Sequence, residues 1–149
     1  MSEDPKIFEA TAAWAQAFSS LEADALDRLL ALADPKIRFT DPFNDVVGRE
    51  KLAAVFRDMY ETCVDPRFEI VEVAGGTRAG YIRWIFRFRP KALKRGPEWR
   101  VDGMSEIHVG PDGKITAHID HWDSGAQLLA RLPLIGALVR LVLRRLRVS

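Results

Sequence analysis

The sequence predicts an α+β domain in which helices come first and an antiparallel sheet follows. Three observations carry that expectation. Apolar residues recur at helical spacing as far as Met59, the period changes to two between Phe68 and Trp122, and 149 residues make about one domain. Hydrophobic residues at 48% and charged residues at 29% are the composition of a folded globule. At this length roughly two-thirds of the unfolded surface can be buried, so the core needs no disulfide or metal. The single cysteine, Cys63, excludes an intramolecular disulfide framework.

Ile7, Ala10, Thr11, Trp14, Phe18 and Leu21 set out a first helix, with Glu3 and Asp4 at its positive end. A second is expected at about residues 23–33 on Leu26, Leu29 and Leu30, stopped by Asp34-Pro35. Residues 36–40 alternate as a short strand, and Asp41 to Asp45 reads as a turn. A third helix begins near Gly48 and carries Leu52, Val55, Phe56 and Met59 on one face. Residues 68–74 read as a strand, and Gly75-Gly76 as a hairpin turn. Residues 81–89 set Ile82, Trp84, Phe86 and Phe88 against Arg83, Arg87 and Arg89, a strand with one apolar and one basic face. Two further strands, 99–109 and 114–122, are joined by Gly110-Pro111-Asp112-Gly113.

Lys and Arg number 22 against 21 Asp and Glu, a net charge of +1, which argues against a general nucleic-acid binder. The balance is a cancellation. Residues 1–62 hold twelve acids and seven bases, whereas residues 124–149 hold no acid and five arginines (Arg131, Arg140, Arg144, Arg145, Arg147). The first residues are acidic where a secretion signal would begin basic, and the longest apolar run, 132–139, is too short to span a bilayer. A cytoplasmic protein is expected. The chain divides into a domain over residues 1–123 and an amphipathic basic tail over 124–149. After Pro133 that tail reads as a helix with a stripe of Arg140, Arg144 and Arg147. It could cap the domain or pack on a dimer partner, lie peripherally on an anionic membrane, or contact another protein.

The order of elements, with Phe39-Thr40-Asp41-Pro42-Phe43, Gly48-Arg49-Glu50-Lys51-Leu52 and the stretch from Gly113-Lys114-Ile115 to Trp122, resembles the nuclear transport factor 2-like superfamily. That superfamily includes ketosteroid isomerases and SnoaL-like polyketide cyclases. The likeness spans roughly residues 7–123. It implies a cone-shaped curved antiparallel sheet with three N-terminal helices packed on its concave face, here followed by a C-terminal basic helix. It also implies a deep apolar pocket and a homodimer.

Asp41, just before Pro42, stands where the resemblance places the isomerase general base. A carboxylate in an apolar pocket has its charged form disfavoured and can exchange protons near neutrality. Asp-Pro is equally ordinary turn chemistry. The two donors that an isomerase uses for its enolate oxygen are missing. The first helix offers Trp14 and Phe18 instead of a tyrosine, and Ser105 falls where an acid is expected. The densest polar cluster is His118-Ile119-Asp120-His121-Trp122-Asp123, and period two sets His118, Asp120 and Trp122 on one face. By resemblance to SnoaL-like cyclases Asp120 is the acid–base residue, with His118 beside it to tune or share the proton. An Asp/His pair that simply satisfies its own hydrogen bonds is the alternative.

Trp84, Phe86, Phe88, Gly103 and Ser105 are expected along the pocket wall, with Trp14, Phe18 and Trp122 around it, suiting a lipophilic small molecule. The Asp-Arg-Asp arrangement of limonene epoxide hydrolases is disfavoured, because Arg83 and Arg100 point away from the apolar face by strand parity. His118 and His121 diverge on a strand, so no metal site is expected, and no cofactor is implied. Neither a phosphate loop after Gly75-Gly76 nor a nucleophile elbow occurs. The expected function is acid–base catalysis of isomerase or cyclase type by Asp120 and His118, with Asp41 as a second carboxylate, on an apolar carbonyl compound. A non-catalytic binding protein and a structural dimerisation module are the alternatives.

Overall fold

Asp4 opens the first helix by accepting the backbone N–H of Lys6 at 3.0 Å, and Pro5 fills the first turn, where a missing N–H costs nothing. In this computed structural model, which describes residues 3–20, 25–93 and 95–148, helix α1 spans Pro5–Ser19. It buries Ile7, Thr11, Trp14, Ala15 and Phe18, the stripe that its spacing predicts. Leu21 and the expected start of α2 at residue 23 lie outside the described residues. α2 is described over Ala25–Leu32, and α3 over Arg49–Thr62.

The strands are β1 (Ala33–Thr40), β2 (Asp45–Val47), β3 (Cys63–Gly75), β4 (Gly80–Pro90), β5 (Trp99–Val109) and β6 (Ile115–His121). α4 (Ser124–Gln127) and α5 (Ile135–Leu146) follow, linked by a single 3₁₀ turn at Leu129–Arg131. The sheet is curved and open, with strands in the order β2-β1-β6-β5-β4-β3. It is mixed rather than wholly antiparallel, because β1 runs parallel to β6, with Phe39 opposite His118. The crossover from β1 to β6 carries most of the domain, and no local pattern announces it.

Three local differences have local causes. α2 ends at Leu32, just ahead of Asp34-Pro35, but that dipeptide is already part of a strand rather than the turn before one. It sits inside β1, in an irregularity of the β1–β6 register between Ala33 and Arg38, where a proline removes no ladder bond. β3 begins at Cys63 rather than Phe68. Asp65 there has a φ of 48°, and the register with β4 slips between Val64 and Arg67 around Pro66. β2 is three residues long, too short to show a period.

α1 crosses the inner sheet face at β3, β4 and β5, and α3 packs on β1 and β3. Their apolar faces and the sheet share one core in which Trp14, Leu29, Ile37, Leu52, Ile82, Ile107 and Ile115 are fully buried. Truncating any of the aliphatic ones to alanine removes about 2–5 kcal/mol. Two glycines permit close approach. A Cβ on Gly80 would collide with Thr11 of α1, and one on Gly103 with the Trp84 ring. On the outer sheet face Arg100 and Arg83 pair with Asp102 at 2.9 and 3.7 Å, so both arginines point away from the core, as parity predicts. The hydrogen bond from Arg100 holds the Asp102 carboxyl below the usual carboxylate range.

The Gln127 side chain extends the sheet's hydrogen bonding into the tail. β6 ends at His121, leaving the backbone of Asp102 on β5 without a strand partner on that side. The Gln127 amide takes that place, accepting Asp102 N–H at 2.7 Å and donating to its carbonyl at 2.9 Å. Among the described residues no helix is long and apolar enough to cross a membrane.

Candidate active site

Between α1, α3 and the inner sheet face lies a cavity of about 310 Å³. Phe18, Phe39 and Phe56 of α1, β1 and α3 form its buried floor, and Trp84, Phe86, Phe88 and Val101 its wall. Phe68 stacks on Phe86 at 4.4 Å between ring centroids, and Phe86 on Phe88 at 4.7 Å, giving one flat aromatic side. Phe43 and Trp122 meet edge to face at 5.8 Å along the rim, with Leu128 of the tail also in the lining. Asp41, Asp58 and Asp120 bring carboxylates to this surface, and no basic side chain lines it among the described residues.

Asp120 has 12% of its side chain exposed. Pairing of β5 with β6 sets Ser105 opposite Asp120 and Ile107 opposite His118, so these side chains share the inner face. Asp120 Oδ1 accepts the Ser105 hydroxyl at 2.5 Å and lies 2.7 Å from His118 Nε2. Both groups are themselves fixed from behind. Trp84 Nε1–H donates to Ser105 Oγ at 2.8 Å, and Trp14 Nε1–H donates to His118 Nδ1 at 2.9 Å.

An indole can only donate. The Trp14 bond therefore makes Nδ1 of His118 the acceptor and places the ring proton on Nε2, facing Asp120. In the same way the Trp84 bond turns the Ser105 hydroxyl proton towards Asp120. Both arms of the chain deliver a hydrogen to the same oxygen, Oδ1. Among the described residues Oδ2 has no partner, so it is the oxygen available to a ligand. His118, Ser105 and Trp14 are fully buried and do not line the cavity.

Of the residues expected from sequence, Asp120, Trp122, Trp84, Phe86, Phe88 and Phe18 come together at the cavity surface. Trp14, His118 and Ser105 form the layer behind Asp120, and Gly103 lies beneath the Trp84 ring. Asp41 reaches the cavity, but its carboxylate is occupied. Oδ1 accepts Phe43 N–H and Asn44 N–H at 2.7 Å each and Asn44 Nδ2 at 3.1 Å, and Oδ2 is also 3.1 Å from Asn44 Nδ2. It closes the turn between β1 and β2. The lining residues that sequence reading did not single out, Phe43, Asp58, Thr62, Cys63 and Leu128, come from helix ends, a turn and the tail. Phe56 and Met59 were visible only as a helix face.

Cys63 is half-buried in this lining, and burial pushes its thiol up, which keeps it protonated and poorly nucleophilic at neutral pH. On the outer face, Glu106 receives His108 at 2.7 Å and His121 at 3.1 Å, so His121 lies across the sheet from His118. Among the described residues no group of three or more His, Cys, Asp and Glu side chains converges to hold a metal ion.

The sequence model of the SnoaL-like domain family matches residues 12–118. No curated protein matches the chain. Solved structures do. A protein with a ketosteroid isomerase-like fold from Catenulispora acidiphila, in complex with trimethylamine, superposes with a TM-score of 0.68 at 17% identity, covering 83% of this chain and 91% of its own. A candidate polyketide cyclase from Xanthomonas campestris gives 0.66 at 15% identity, covering 85% and 98%. An LEH-like epoxide hydrolase from M. tuberculosis gives 0.64 at 18%, covering 97% and 95%. At these identities the structural likeness is one of fold.

Proposed function

Starting from a chain that belongs to the SnoaL-like domain family, we propose that it is an acid–base enzyme of isomerase or cyclase type acting on an apolar carbonyl compound. The observation that carries this reading is the convergence of two fixed donors on Oδ1 of Asp120, which leaves Oδ2 as the free basic site in an aromatic cavity. Oδ2 takes a proton from the carbon beside the substrate carbonyl, and the electron pair of that C–H bond passes into an enolate. The proton then returns from Oδ2 to another carbon, which isomerises the substrate. Alternatively the enolate carbon attacks a second carbonyl of the same molecule, and the new alkoxide takes the proton, which closes a ring. Either sequence is balanced without a cofactor.

His118 and Ser105 are positioning residues here: they hold the carboxylate and confine its protonation to Oδ2. Trp122 follows two residues after Asp120, just past the end of β6, and its indole N–H has no partner among the described residues, so it is the donor we assign to the developing oxyanion. Asp41 shapes the rim rather than moving a proton.

Hydrogen–deuterium exchange at the α-carbon of 2-tetralone, followed by NMR in D₂O, tests this. Wild type should accelerate exchange saturably, and Asp120→Asn should lose about 10²-fold or more of that acceleration while still binding the ketone. Binding without accelerated exchange would instead favour a carrier of lipophilic molecules, the reading that the aromatic lining supports.

A further inference from the structure

Helix α5 carries two chemistries on twelve residues. It buries only Gly136, and an outward arc presents Leu138, Leu141, Val142 and Leu146, continued by Leu134 and Ile135, each half or more exposed, with Arg145 standing among them at the C-terminal end. On its other side Arg140, Arg144 and Arg147 line a groove of about 1180 Å³, which the helix forms with the β4–β5 connection. Lys91 and Arg95 add two cations from that connection. The single carboxylate in the groove, Glu98, is already held by Arg67 at 2.7 Å. Among the described residues Lys91, Arg95, Arg144, Arg145 and Arg147 make no ion pair.

We propose that α5 and this groove form a docking surface for an anionic phospholipid bilayer. The apolar arc enters the acyl boundary, and the arginines lie at the level of the headgroup phosphates. Charge and polarity together select this occupant. An acidic soluble protein would answer the arginines and leave the leucines in water. The tail of a second copy would cover the leucines, but it would bring five arginines and no acid against five arginines and no acid. A lipid surface with phosphate above and hydrocarbon below matches both. Leu128 of the same C-terminal segment lines the cavity, so docking would bring the cavity rim near the lipid from which an apolar substrate partitions.

The full chain is sedimented with vesicles of phosphatidylcholine alone and of phosphatidylcholine with about one-third phosphatidylglycerol, at roughly 0.1 M salt. Sedimentation with the anionic vesicles, weak sedimentation with the neutral ones and release by high salt are expected. The triple variant Arg144→Gln, Arg145→Gln, Arg147→Gln should weaken partitioning about tenfold or more. Leu138→Gln with Leu141→Gln should do the same. All five side chains are exposed, so the thermal midpoint of each variant should stay within a few degrees of wild type. No binding to anionic vesicles, or equal binding to both compositions, overturns the proposal. So does a leucine variant that leaves vesicle binding intact and converts a dimer to a monomer on analytical ultracentrifugation, because a second copy then occupies the arc.

Discussion

Replacing Ser105 by alanine removes one oxygen from a fully buried position and changes almost no volume. That oxygen does two things: it accepts Trp84 Nε1–H at 2.8 Å and donates to Asp120 Oδ1 at 2.5 Å. Its loss strands the indole N–H, which costs about 1–3 kcal/mol, and deletes a hydrogen bond to a charged group, worth about 1.5–3 kcal/mol. Neighbouring terms do not add fully, so a net loss near 3 kcal/mol is expected. For a domain of this size that is roughly 6–12 °C in Tm. Urea unfolding followed by tryptophan fluorescence measures it. A double-mutant cycle with Trp84→Phe isolates the cause. In the Trp84→Phe background no indole N–H is left stranded, so Ser105→Ala should cost about 1–3 kcal/mol less there than in wild type. A single variant within about 0.5 kcal/mol of wild type, or an additive cycle, would refute the claim that Trp84 acts on Asp120 through this hydroxyl.

Two further outcomes follow from the titrating groups. Hydrogen bonds from His108 and then His121 hold Glu106 below its ordinary value of 4.5, so its stabilisation is present above that value and is lost as pH falls through the lowered one. Glu106→Gln should therefore cost under about 1 kcal/mol at about pH 5 and progressively less from there towards about pH 2; a urea-midpoint gap that stays constant or widens across that window contradicts this. Because burial raises the Cys63 thiol, it should react with a disulfide reagent about tenfold more slowly than free cysteine at neutral pH, and more slowly again with 2-tetralone bound. Labelling as fast as glutathione would contradict the burial, and labelling indifferent to the ketone would place the ketone elsewhere.

The parts of the fold that were legible in the sequence are those whose signal is local. Ile82, Trp84, Phe86 and Phe88 alternate cleanly because β4 sits between two partners with one face on the core, and β5 has the same clarity. β1 was half hidden because its first residues, around Pro35, follow no ladder, and its parallel neighbour is a property of the whole chain. Strand parity sets His118, Asp120 and Trp122 on one face, and the family resemblance is what marks that face as the inner one. The layer behind Asp120 was not legible. Trp14 and His118 stand 104 positions apart, and nothing in the first helix distinguishes an indole that packs from one that also donates. Asp41 shows the opposite case, where a motif with two meanings is resolved by counting the N–H groups that surround it.

The parallel pairing of β1 with β6 has a consequence for biosynthesis. β3, β4 and β5 are consecutive neighbours and can zip together as soon as they leave the ribosome. β1 cannot, because the strand beside it is the last of the sheet to be made. Until residues 115–121 emerge, β1 has no neighbour but three-residue β2, and the Trp14 indole has no imidazole to meet. Asp120 and the side chains that fix its Oδ1 can thus come together only once β6 has been made. A nascent chain interrupted before β6 therefore leaves the inner edge of β1 and of β5 uncovered, an exposed strand edge for chaperones to hold.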